Sequence, residues 1–186
     1  GSTANSAYGA RLFKPNPAIA SGRLNQWEYI KDELTRDPDS RRAVMHIRVP
    51  ADSIDAKLDV PCTLSLQFFI RDSKLHMITN MRSSDLVFGI AYDIPAFTFF
   101  QEVLAIDLGV GLGSYTHVSN SLHIYERHFG MAEKILNMSN VNKSQFELYK
   151  SYGAMPDVSC ASRQELSYWI DKLMEFESDV TNSKSV

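Results

Sequence analysis

Leu24, Trp27, Ile30 and Leu34 recur at helical spacing with Glu28, Lys31, Asp32 and Glu33 between them, which predicts an amphipathic helix stopping near Asp37-Pro38. The period then shortens to two. In residues 43–49 the apolar Ala43, Met45, Ile47 and Val49 alternate with Val44, His46 and Arg48, a strand pattern closed by Pro50. Residues 62–71 and 75–82, rich in Leu, Phe and Ile, predict two more strands joined as an antiparallel pair across Asp72-Ser73-Lys74. Pro95 suits the first turn of a helix carrying Phe97, Phe100, Leu104 and Leu108, apolar on nearly all sides and therefore expected at the centre. Gly109, Gly111 and Gly113 punctuate the chain before residues 114–125, whose Tyr, Thr, Val and Ile favour another strand. Ser162 and Glu165 form a capping box ahead of Leu166, Trp169, Ile170 and Leu173, which predicts a helix to about Glu177.

Residues 1–22 read as an irregular lead-in, and residues 129–186 as a helical carboxyl-terminal part. No repeat or linker divides the chain, so the pattern predicts one mixed α/β domain over 1–186, helices packed on a sheet. With 186 residues, 44% of them hydrophobic, the chain can bury a core of its own, and disorder is excluded. No run of about 18 apolar residues is present, so no membrane span is expected, and no basic segment with an apolar core marks an export signal. A formal net charge of −3 without a basic stripe argues against binding a nucleic acid polymer. Cys62 and Cys160 lack the spacing of a zinc site or a disulfide framework, which points to no metal and to a reducing, cytoplasmic setting.

Each candidate for chemistry has a plain structural reading. A lone cysteine such as Cys62 is ordinarily a small buried hydrophobe, and becomes a nucleophile only where a cation lowers its pKa. The hairpin brings Arg82 back toward it, although Arg82 also reads as a surface charge at a strand edge. Arg41-Arg42 reads as a solvated turn with internal charge compensation, or as a pair able to grip a phosphate by forked hydrogen bonds. Asp93 before Ile94-Pro95 reads as a carboxylate at a helix start. His123 and Tyr125 share one face of a strand by the period of two, where they are either buried and bonded or hold a polar ligand.

Taken together, Asp37-Pro38-Asp39-Ser40-Arg41-Arg42, Pro61-Cys62 leading to Gln67-Phe68, Arg82-Ser83-Ser84-Asp85 with Gly89, and His123-Ile124-Tyr125 resemble the thymidylate synthase family in order and spacing. That family includes the cytidylate and deoxycytidylate hydroxymethylases. The resemblance runs from about Tyr8-Gly9 to His128. It implies a mixed sheet with flanking helices, two such sheets packing back to back in a homodimer. It further implies that the Cys62 thiolate adds to C6 of a pyrimidine nucleotide monophosphate and that Arg82 and Ser83, within the run that continues through Ser84, hold its phosphate. By the same resemblance Arg41 and Arg42 reach the phosphate bound to the opposite subunit, and His123 and Tyr125 bond the sugar hydroxyl. Asp85 and Gly89 match positions contacting base and folate, and Tyr8 matches a tyrosine associated with proton removal from C5.

Asp93 directs the expected substrate within the family, because uracil-using members have asparagine there and cytosine-using members resemble this chain in carrying aspartate. Cytosine presents an N4 amino donor beside an N3 acceptor, a pair that a carboxyl group sharing a proton can satisfy. The same shared proton neutralises charge that develops through N3 when sulfur adds at C6. The expectation is therefore folate-dependent C5 hydroxymethylation of CMP or dCMP, with 5,10-methylenetetrahydrofolate as co-substrate and no metal. A non-catalytic nucleotide-binding or dimer-forming protein, and a synthase methylating dUMP, are the alternatives. Departures from the family pattern are Thr63 for a histidine, Met81 for a glutamine, and Asn120-Ser121 for Gly-Asp. The family's glutamate and tryptophan from its amino-terminal third have no counterpart ahead of Tyr8, and the region after His128 does not match the segment that closes over folate.

Overall fold

The computed structural model describes residues 7–14, 25–53, 59–139 and 172. The chain divides into two compact units, 1–139 and 140–186; the first is described below, and the expected capping-box helix and Cys160 lie outside the described residues. Helix α1 (Tyr8–Phe13) and helix α2 (Gln26–Arg36) precede strand β1 (Val44–His46). Strands β2 (Thr63–Arg71) and β3 (Lys74–Met81), the short β4 (Ser84–Asp85), helix α3 (Gly89–Leu108), strands β5 (Gly111–Ser119) and β6 (Leu122–His123) and helix α4 (Phe129–Ser139) follow. The main sheet has the order β1-β2-β3-β5, antiparallel except for the parallel β3–β5 pair, and β4 and β6 form a second, parallel ladder.

Alternation along the strands sorts one face of this sheet into the core. Leu66, Phe68 and Ile70 of β2 and Leu75, Met77 and Met81 of β3 are buried with Trp27, Ile30 and Leu34 of α2 and Phe97 and Leu104 of α3. Phe68 is fully buried, and truncating such a side chain to alanine costs about 3–5 kcal/mol. The opposite sheet face carries Gln67, Phe69, His76 and Asn80, with Phe69 stacked on His76 at 5.4 Å. The predicted hairpin is present, and Asp72 and Ser73 both take positive φ (50° and 57°), the two-residue turn that matches strand twist. Gly109 (φ 66°) ends α3 in a left-handed cap, its N–H and that of Val110 taking the carbonyls of Ile106 and Ala105.

Four expectations are corrected. The lead-in contains α1, too short to announce itself by period; it is held by burial of Leu12 and by Arg11, whose guanidinium pairs with the buried Asp52 at 2.6 and 2.8 Å. Helix α3 begins six residues before Pro95, because Asp85 accepts the amides of Val87 and Phe88 and so starts the turn earlier. Asp93 therefore lies in the second turn of α3 and does not cap it. The helix is apolar all round yet buries only one face in the single chain, leaving Tyr92, Phe99 and Ile106 exposed. Finally, the strand predicted over 114–125 is two strands: β3 ends at Met81, so its partner β5 ends at Ser119 and the chain re-pairs as β6 with β4, Ser121 O accepting from Ser84 N.

Candidate functional site

Cys62 lies just before β2, half-buried and free. Arg82 leaves the end of β3 directly beside it: its backbone N–H donates to Cys62 O at 2.8 Å, while Nε and Nη2 donate to the carbonyls of Pro61 and Val60, both at 3.0 Å. Two of the five guanidinium N–H groups thus fasten the chain that presents the thiol, and three remain for an anion. Tyr8 approaches from α1, its hydroxyl accepting from Thr63 N at 3.3 Å and its ring stacked on Phe97 at 6.4 Å. Phe97 follows Asp93 by one helical turn, so Tyr8 bridges the Cys62 end of β2 and the Asp93 face of α3.

The run 82–85 links the remaining candidates. Ser83 Oγ lies 3.3 Å from His123 Nδ1, and His123 and Tyr125 meet edge to face at 4.9 Å although Tyr125 lies beyond β6. Tyr125 also lies under the Arg127 guanidinium at 4.4 Å. Burial pushes the Asp85 carboxyl up, but the amides of Val87, Phe88 and Gly89 together with His128 outweigh it, and its pKa falls below the usual carboxylate value. Gly89 lets α3 begin against this residue, since an added Cβ would stand 3.3 Å from Asp85 Cβ.

Asp93 has neighbours that the sequence reading did not single out. Its Oδ2 and the carbonyl carbon of Ser84 both lie 3.9 Å from the point a Cβ on Gly89 would occupy. From β5, His117 places Nε2 3.5 Å from Ser84 Oγ and Nδ1 2.8 Å from the Tyr115 hydroxyl. Burial raises the Asp93 pKa and the charge of His117 opposes that rise; burial lowers the His117 pKa and Asp93 opposes that fall. Burial, and then Asp93, raises that of Tyr115 despite the Thr79 hydroxyl beside it. Period-two alternation puts Tyr115 and His117 on one strand face, a signal present in the sequence but meaningless until α3 is known to cover that face.

Arg41 and Arg42 are not brought to Cys62 of their own chain. Ala43 O accepts from Phe68 N, six positions along β2 from Cys62, or roughly 20 Å at strand spacing. Arg42 pairs with the buried Glu33 at 2.9 Å, not with the aspartates of its own turn, and borders an open groove of about 760 Å³ together with Arg48 and Tyr29. Arg41 is exposed, and its guanidinium has no partner among the described residues. No group of three or more His, Cys, Asp or Glu is arranged to hold a metal ion among the described residues. No described helix is long and apolar enough to cross a membrane.

A mixed sheet with flanking helices, with Cys62 tied through its backbone to Arg82 where β2 begins and β3 ends, defines an α+β protein. The chain belongs to the thymidylate synthase family, which residues 2–170 match. It is 30% identical over 126 residues to thymidylate synthase 1 of Bacillus subtilis strain 168, covering 68% of this chain and 45% of that protein. It is equally similar to the thymidylate synthase of Bacillus atrophaeus, of which it covers 55%. The solved thermostable thymidylate synthase A from Bacillus subtilis superposes with a TM-score of 0.60 at 28% identity over 68% of this chain and 45% of that one. The chain thus spans about half the length of the curated relatives it matches.

Proposed function

We propose that this chain carries the nucleotide-binding half of a one-carbon transferase, in which Cys62 bonds to C6 of a pyrimidine nucleotide monophosphate and activates C5 for transfer from 5,10-methylenetetrahydrofolate. The observation that carries the reading is the attachment of Arg82 to the two carbonyls just ahead of Cys62, which ties a permanent cation to the segment that presents the half-exposed thiol. In this reading the three spare donors of Arg82, with Ser83, bind the phosphate, and His123 and Tyr125 take the sugar. In the same reading Tyr8, whose hydroxyl accepts from the Thr63 N–H, takes part in removing the C5 proton by way of water.

When bound, the folate supplies a methylene at the formaldehyde oxidation level. Asp85, whose carboxylate is held by the backbone amides of Val87, Phe88 and Gly89, presents its remaining acceptor capacity to the polar edge of such a ligand. Arg41 and Arg42 lie too far along the sheet to serve their own Cys62, which supports a homodimer in which each pair serves the partner's phosphate.

Relatives named thymidylate synthase favour a uridylate as acceptor and a methyl product. One observation favours a cytidylate and a hydroxymethyl product instead: position 93 is a carboxyl group whose pKa burial raises, suited to sharing a proton with N3 while accepting from N4. Incubating the protein with methylenetetrahydrofolate and either 5-fluoro-dUMP or 5-fluoro-dCMP, then measuring intact mass, separates these readings. An adduct on Cys62 with both components supports the transferase, and the base that traps better names the substrate. An unmodified mass with retained nucleotide binding leaves the binding-protein alternative, and no binding at all overturns the proposal.

A further inference from the structure

Glu33, Ser40 and Arg42 close a ring of polar contacts. Ser40 Oγ donates to Glu33 Oε1 at 2.6 Å, the Arg42 backbone N–H donates to the same Ser40 Oγ at 3.2 Å, and Arg42 Nε lies 2.9 Å from Glu33 Oε1. One carboxylate of α2 therefore holds Arg42 twice, by its backbone through Ser40 and by its side chain directly. Both anchors are out of solvent, with Glu33 at 2% and Ser40 at 4% exposure, whereas the Arg42 side chain is 67% exposed. Its stem nitrogen is taken, and the four N–H of the two terminal NH2 groups remain as an end-on fork suited to a phosphate. Arg41 has no such hold, since only its carbonyl meets a neighbour, Gln67 Nε2 at 3.5 Å. Arg36 already pairs with the other oxygen of Glu33, so Arg42 is a second cation on one anion. What the carboxylate gives Arg42 is position rather than neutrality.

We infer that Glu33 is a positioning residue for Arg42: acting directly and through Ser40, it holds the guanidinium fork ready for the phosphate of a nucleotide bound by the partner subunit. This rests on the reading that Arg41 and Arg42 serve that phosphate. An unbraced arginine gives up the freedom of several rotatable bonds when it binds, and bracing removes that loss beforehand. The charge of Glu33 by itself repels a phosphate. Positioning and plain charge therefore predict opposite signs when the carboxylate is neutralised.

The test is isothermal titration of the full chain with dUMP and dCMP, with deoxyuridine and deoxycytidine as phosphate-free controls. Arg42→Ala is expected to weaken monophosphate binding and to leave nucleoside binding unchanged. Glu33→Gln keeps an acceptor for Ser40 but drops the charge that holds Arg42; it is expected to weaken monophosphate binding about tenfold, and to do nothing further once Arg42 is alanine. Ser40→Ala leaves both charges in place, acts in the same direction by a smaller factor, and serves where Glu33→Gln does not fold. Monophosphate binding that is unchanged or tighter in these two variants, or a loss in Glu33→Gln that persists in full beside Arg42→Ala, overturns the inference while the arginine reading stands. Unchanged monophosphate binding in Arg42→Ala removes the arginine reading, and the inference with it.

Discussion

Arg82 donates to the carbonyl of Pro61 at 3.0 Å, so the side chain that supplies the cation also fixes the backbone that carries the Cys62 thiol. Lysine keeps the charge but has no fork with which to hold Pro61, Val60 and an anion together. Arg82→Lys is expected to weaken nucleotide monophosphate binding about 10- to 100-fold, the worth of one charge-assisted hydrogen bond, and to slow alkylation of Cys62 by iodoacetamide. Calorimetric titration and a timed alkylation assay check both, and unchanged binding would remove Arg82 from the phosphate site.

The roughly 20 Å along β2 between the level of Ala43 and Cys62 makes a specific demand on the arginine pair. If Arg41 and Arg42 act on the partner's site, a doubly substituted Arg41→Ala, Arg42→Ala protein and a Cys62→Ala protein are each inactive, yet mixed subunits restore one complete site per heterodimer. Random mixing then returns about a quarter of wild-type transfer activity. Failure to complement in subunits shown to exchange would place the pair outside the site.

Glu33 is a buried residue of α2, where Ser40 Oγ donates to it at 2.6 Å and Arg42 and Arg36 pair with it. The Ser40 hydrogen bond first, then the two guanidiniums, hold its pKa below the ordinary 4.5 despite burial. A carboxyl depressed in the folded state stabilises the protein above its unfolded pKa, and that stability is lost as pH falls through the folded value. Urea midpoints measured from about pH 6 down to 3 should therefore fall in the wild type and fall less steeply in Glu33→Gln, which starts from a lower midpoint.

Gly113 sits where β5 carries one extra residue opposite His76 of β3, and a Cβ there would stand 2.7 Å from Leu75 O and 2.8 Å from the His76 ring. The backbone carbonyl cannot yield, so Gly113→Ala is expected to destabilise the fold by about 1–3 kcal/mol. Gly9→Ala, with open space at its Cβ, serves as the control in denaturant unfolding.

Much of this architecture was legible in the chain because burial has a period. Trp27, Ile30 and Leu34 declared α2, and alternation in β2 and β3 declared the hairpin and its buried face. Helix α1 escaped because six residues cannot show a helical period, and its stability comes from Asp52, some forty positions away. The start of α3 escaped because Pro95 is a strong local signal for a first turn, whereas the chain is turned toward the helix by Asp85, which accepts the amides of Val87 and Phe88 just ahead of it.

By itself the amino-acid sequence determined the family, the two principal helices, the central hairpin and the cysteine, arginine and carboxyl groups worth examining, since each is a matter of residue type at a local spacing. Only the tertiary structure decided that Arg82 is tied to the carbonyls before Cys62, that Arg41 and Arg42 lie far from the thiol of their own chain, and that His117 of β5 joins Tyr115 to Ser84. Those relations join residues on different strands and helices, and chain distance carries no information about them. They exist because β3 ends where β2 begins, and because one face of β5 turns under α3.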